Sequence, residues 1–110
     1  MADETLIDRA HLEAQTGGDD DFANELLGLF SEQCRRLMPG LENVSLSATE
    51  RADLAHTLKG SALGVGTTRI ASRASEAEDA LRAGSPAVPD LVQALALAVD
   101  ETLAVLAGQG

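Results

Sequence analysis

His56 and Lys59 stand three residues apart in the stretch AHTLKGSALGVG, residues 55–66. The chain has two histidines, and Lys59 is its one lysine. An imidazole keeps an uncharged, nucleophilic nitrogen near neutral pH, and an ammonium one helical turn away can neutralise an anion brought to it. Three glycines, Gly60, Gly64 and Gly66, punctuate the same stretch. Glycine inside a helix costs about 1 kcal/mol against alanine, so each needs a reason.

On a helical wheel at about 100° per residue, Leu54, Leu58 and Val65 cluster opposite His56 and are expected in a core. His56, Lys59, Gly60, Leu63 and Gly64 share the other side. Gly60 has two readings: close packing of a neighbouring helix, or a missing side chain that lets a partner reach the imidazole. Two glycines flanking one histidine on one face favour the second.

Other reactive side chains lack company. His11 has no cation or glycine beside it and reads as a surface or packing residue. Two histidines this far apart, with no HExxH-type spacing, make no zinc site. Cys34 reads as a small apolar residue. Ser61 is a nucleophile only with a base and an orienting group, and local hydrogen bonding is its expected role.

The elements that position these residues are all helical. Ala and Leu dominate the apolar set, aromatics are 2% of the chain, and no stretch alternates with period two for long. A first short helix is expected from Asp8 to Gln15, stopping at Gly17-Gly18. Asp19 to Asp21 suit the start of a second, whose apolar stripe is Phe22, Leu26, Leu29, Phe30 and Leu37. Pro39-Gly40 kinks or ends it, with Leu41 and Val44 as a short continuation.

Ser47-Ala-Thr-Glu50 has the form of a capping box and starts the helix that carries His56. Thr67 or Thr68 caps a fourth helix, which ends at Gly84. The fifth repeats Leu91, Leu95, Val99, Leu103 and Leu106. Short connections predict an antiparallel up-down four-helix bundle, with the additional short N-terminal helix across one end. Ala74 and Ala77 would let the third helix approach the fourth closely.

The chain has 110 residues, the size of one domain, so residues 1–110 are read as a single unit. Eighteen acids against eight bases give a net charge of −10. That balance argues against binding a phosphate backbone or an anionic membrane surface. A lone cysteine excludes an internal disulfide and fits a reducing compartment. With no signal pattern and no apolar run long enough to span a membrane, the expected location is the cytoplasm. No G-x-x-x-x-G-K-[ST] loop is present, so autophosphorylation from a nucleotide is not expected.

The element His56-Thr-Leu-Lys59-Gly60-Ser61, followed by Val65-Gly66, resembles the signature of histidine-containing phosphotransfer (HPt) domains. Ile70-Ala71 and Ala77-Glu78 continue the pattern at the usual intervals. The resemblance implies a four-helix bundle whose exposed histidine takes a phosphoryl group from one aspartate-bearing receiver domain and gives it to another. It implies that His56 is the phospho-accepting residue and Lys59 a stabiliser of the phosphoryl oxygens. It places Glu78 as the acceptor that orients the imidazole, whereas the residues alone allow an ordinary surface glutamate paired with Arg82 at i+4. Arg82 assists or binds the receiver, and Gly60, Leu63 and Gly64 form the partner-binding face.

No cofactor or metal is expected on this chain, since Mg²⁺ belongs to the partner receiver. The expected partners are receiver domains of response regulators, a histidine kinase, or both, with the chain itself monomeric. Departures from the family pattern fall at Leu63, Gly64 (commonly asparagine) and Ala74 (often cysteine). Leu63 either docks a partner or packs under a loop. Met1 and the tail Gln109-Gly110 suggest a complete small protein. The alternatives are a phosphoacceptor domain cut from a larger histidine kinase and a helical adaptor without phosphochemistry.

Overall fold

The computed structural model describes residues 6–108. Met1 and Gln109-Gly110, read above as chain ends, lie outside the described residues. Within them the fold is helical throughout: α1 (Arg9–Thr16), α2 (Asp20–Glu42), α3 (Ala48–Val65), α4 (Thr68–Ala83) and α5 (Val88–Ala107).

Helix ends follow the punctuation of the sequence. Asp8 and Asp19 cap α1 and α2, each accepting from a backbone N–H three residues on, at 3.1 and 3.0 Å. The Ser47–Glu50 capping box forms in both directions, at 3.0 Å into the Ser47 hydroxyl and 3.3 Å into the Glu50 carboxylate. Gly17, Gly66 and Gly84 close α1, α3 and α4 with φ of 62°, 80° and 65°, a region that L side chains avoid. Thr67 stands at the N-cap of α4, but its hydroxyl donates back to the Ala62 carbonyl at 3.3 Å and does not cap.

Two expectations for α2 are corrected. Pro39 neither ends the helix nor marks a separate piece, because α2 continues through it to Glu42. Proline there forfeits the one bond that residue 39 would donate to the Arg35 carbonyl, and only three helical residues lie beyond it. The buried stripe is Leu27, Phe30, Cys34, Met38 and Leu41, whereas Phe22 and Leu29 are exposed. Val44 lies beyond the helix end and is solvent-exposed. Similarly α5 buries Val92, Leu95, Ala98, Val99 and Thr102, and leaves Leu91, Leu103 and Leu106 only half-buried.

α3 packs on α4, α4 on α5, and α2 on both α3 and α5, which closes a ring of four helices. α1 packs on α2 and α3. Its N-terminal edge is tied to the end of α3 by a 2.6 Å bond from the Asp8 N–H to the Gly66 carbonyl. A Cβ on Gly66 would lie 2.8 Å from the Asp8 carbonyl oxygen, so glycine is required there for space as well as for conformation.

The α3–α4 pairing is the most extensive in the fold. The buried residues of the two helices are mostly alanines: Ala52, Ala55 and Ala62 on α3 and Ala74 and Ala77 on α4, all fully buried in one cluster with Leu58 and Ile70. Small residues on both sides let the helices approach closely, and close approach sets how far a side chain must reach from one helix to the other.

Candidate functional site

The site is built on the outer edge of the α3–α4 seam. α3 turns its apolar residues inward, with Leu58 fully buried and Leu54 and Val65 packed on the core. That leaves His56 pointing outward with 64% of its side chain accessible. From α4, Glu78 faces the seam while Asp79 faces solvent, because Ala74, Ala77 and Leu81 fix which side of α4 is buried.

Glu78 is the centre of the arrangement. Its carboxylate lies 3.1 Å (Oε2) and 3.2 Å (Oε1) from Nδ1 of His56. Lys59 Nζ donates to Oε1 at 3.1 Å. Arg82, one turn further along α4, donates to Oε2 through Nε at 3.0 Å and through Nη2 at 2.9 Å. The same Nη2 reaches Asp53 Oδ1 on α3 at 3.1 Å. Three basic side chains thus converge on one carboxylate whose side chain is only 9% accessible.

Burial of that carboxylate pushes its pKa up, since the charged form loses water. Hydrogen bonds from Lys59, Arg82 and His56 outweigh the effect and hold it below the ordinary glutamate range. Arg82 is shifted further up by Glu78 first and Asp53 second. Glu78 is therefore a carboxylate, and the nitrogen it faces carries the imidazole proton. An Nδ1–H donates to Glu78, and in the neutral ring that tautomer leaves the Nε2 lone pair on the solvent side.

The structure brings His56, Lys59, Glu78 and Arg82 together. The surface-glutamate reading of Glu78 fails: it is buried, and it holds Arg82 and His56 at once. Asp53 belongs to no motif in the sequence, and its pairing with Arg82 across 29 positions leaves no local mark. The signal that was present is its place three residues before His56, on the same face of α3.

Gly60 and Gly64 line this face without a packing reason. A Cβ built on either meets nothing within 4 Å. The close-packing explanation therefore does not hold for them, in contrast to Gly40, where a Cβ would stand 2.7 Å from Leu54 Cδ1. Leu63 is exposed and packs under no loop, one of six large apolar side chains on the described surface. Between α2 and α3 lies an open groove lined by Leu26, Leu29, Phe30, Glu32, Gln33, Arg36, Ser61 and Val65.

The remaining candidates take structural places. His11 is half-buried beside Gly66, with Nε2 3.5 Å from the Gln15 amide. Cys34 is fully buried, and burial pushes its thiol up to about 11, which keeps it protonated and unreactive. Among the described residues no group of three or more His, Cys, Asp or Glu side chains is arranged to hold a metal ion. None of the described helices is long and apolar enough to cross a membrane.

No curated protein and no solved structure gives a match to this chain. A family model, that of the Hpt domain, matches residues 25–105. The matched segment runs from the second turn of α2 into the last turns of α5 and contains His56, Lys59, Glu78 and Arg82. Covering about three quarters of the sequence, it shows that this chain belongs to the Hpt domain family.

Proposed function

We propose that this chain is a phosphocarrier of a multistep phosphorelay, with His56 as the residue that carries the phosphoryl group. Hpt domains serve phosphotransfer in two-component signalling as carriers rather than catalysts. The observation that supports the residue assignment is the hold of Glu78 on Nδ1 of an outward-facing imidazole.

In the proposed step Nε2 of His56 attacks the phosphorus of an aspartyl phosphate on a receiver domain. The P–N bond forms as the P–O bond to the aspartate breaks, and the aspartate leaves as a carboxylate. The Nδ1 proton stays in place, and the positive charge that develops on the ring faces the Glu78 carboxylate. Lys59 keeps one donor on Glu78 and offers its others to the phosphoryl oxygens. The reverse step hands the group to the aspartate of a response regulator. Positioning and charge neutralisation carry most of the work in such a transfer, and Mg²⁺ is supplied by the receiver.

The receiver covers the face of Gly60, Leu63 and Gly64. Because neither glycine packs against this chain, the space over them is available to the partner's surface. An up-down antiparallel order of α2 to α5 fits the two-residue link Gly66-Thr67 between α3 and α4 and the short link before α5. A cytoplasmic, monomeric carrier with no cofactor of its own completes the reading.

The test is incubation with a phosphorylated receiver or hybrid kinase. Label appears on this chain in acid-labile, alkali-stable form and is absent from His56→Gln. Label persisting in that variant overturns the assignment of His56.

A further inference from the structure

Glu78 offers two oxygens to three donors, so its hold on the imidazole depends on how the other two are kept in place. Lys59 comes from the imidazole's own helix, one turn away. Arg82 comes from α4, at i+4 from Glu78, on a long stem with its side chain 44% accessible. An arginine tied only to a neighbour on its own helix is free to swing its guanidinium into solvent, taking the carboxylate with it.

Asp53 removes that freedom. It stands on α3, three residues before His56, and accepts from Arg82 Nη2 at 3.1 Å. The guanidinium is therefore bridged between Glu78 on α4 and Asp53 on α3. We infer that Asp53 is a positioning residue for the imidazole, acting through Arg82 and Glu78 to keep the proton on Nδ1 and Nε2 free. The inference rests on the reading of His56 as the phospho-accepting residue.

Two effects act together. Geometrically, the bridge fixes the Arg82 fork, and the fork fixes Oε2 of Glu78 opposite Nδ1. Electrostatically, Lys59 and Arg82 bring two positive charges to the site, and Asp53 with Glu78 bring two negative ones. Without Asp53 a single carboxylate faces both cations, and less of its charge is available to the Nδ1 proton. The Asp53–Arg82 pair is itself exposed, with side chains 66% and 44% accessible, so its contribution to folding is small. Its consequence lies in orientation.

Asp53→Asn, Arg82→Gln and the double variant test this on the full chain. The first readout is the ¹⁵N spectrum of the His56 ring in its neutral form, without any partner present. Asp53→Asn is expected to move the tautomer population from Nδ1–H toward Nε2–H, and Arg82→Gln to do the same, because losing the fork that places Oε2 outweighs the Glu78 charge freed by removing the cation. The double variant is expected to match Arg82→Gln. The second readout is the rate of phosphoryl uptake from a phosphorylated receiver, expected to fall about two- to fivefold in Asp53→Asn, or about 0.4–1 kcal/mol of barrier.

An unchanged tautomer in Asp53→Asn overturns the inference. So does a further loss on adding Asp53→Asn to Arg82→Gln, which would place Asp53 outside the Arg82 link. If the parent itself takes up no label, the phosphocarrier reading fails, while the nitrogen spectrum still decides the role of Asp53.

Discussion

Gly60→Ala and Gly64→Ala are expected to make the protein more stable and less able to transfer. Both positions lie inside α3, with ordinary helical backbone, and an added Cβ at either meets nothing within 4 Å. Each substitution then gains close to the full difference in helix propensity, about 0.8–1 kcal/mol. For a chain of this length the entropy of unfolding is about 230 cal/mol/K, so each variant should melt about 4 °C higher. The same methyl projects into the space assigned to the receiver, beside His56. An overfilled interface of that kind costs about 1–3 kcal/mol, and transfer should slow by about fivefold to a hundredfold. Thermal unfolding followed by circular dichroism at 222 nm gives the first number, and label uptake from a phosphorylated receiver gives the second. A variant that melts lower than the parent would show that the glycine serves the fold. A variant that melts higher and transfers at the parental rate would show that no partner uses the cleared space.

Further outcomes follow from the same geometry. Glu78→Gln should slow transfer about tenfold, since it removes the negative charge opposite the developing imidazolium, a charge-assisted bond of about 1.5 kcal/mol. The Glu78 carboxyl is held below its ordinary range in the fold, so its contribution to stability is complete above the unfolded-state value of about 4.3 and is lost as pH falls through the lower folded value. Urea melts should therefore show a parent-over-Glu78→Gln advantage at pH 7 that shrinks in acid, and a growing advantage would contradict the sign. Leu58→Ala, which empties a fully buried position in the α3–α4 seam, should cost about 3 kcal/mol in the same assay. Gly66→Ala should destabilise by more than 1 kcal/mol, because it meets both a φ of 80° and the Asp8 carbonyl at 2.8 Å, and a neutral result would disprove that account.

Much of this architecture is legible in the sequence because its punctuation is local. The Ser47–Glu50 box and Gly66 bracket α3, and the wheel drawn between them separates Leu58 from His56 as the structure does. The apolar stripe that spacing predicts for α2 is offset from the buried one, which shares only Phe30 with it. Phe22 lies in the first turn and Leu29 on the outer edge, so the register that faces α3 and α5 runs instead through Leu27, Cys34 and Met38. Pro39 marks a kink or an end in the sequence, yet α2 runs on to Glu42, since proline there costs one bond to the Arg35 carbonyl with only three helical residues beyond it. Of the site, His56, Lys59 and the glycines were visible from type and spacing, and Glu78 and Arg82 only through family resemblance. Asp53 is not legible, since nothing in the chain records that this acid of α3, rather than Glu50, meets an arginine of α4.

The methyl-lined seam between α3 and α4 has a last consequence. Alanine is the smallest side chain with a Cβ, so a seam of Ala52, Ala55, Ala62, Ala74 and Ala77 cannot be trimmed without inserting glycine into a helix, and cannot be enlarged without parting the helices. It works as a gauge block: it sets the gap that the Glu78 carboxylate spans to reach Nδ1. An alanine-to-valine exchange deep in that seam, far from solvent and from any reacting atom, would be read at the surface as a lengthened hydrogen bond. Drift in this protein is thus constrained at interior positions by the chemistry of its exterior, and repacking its core for stability would put the tautomer of His56 at stake.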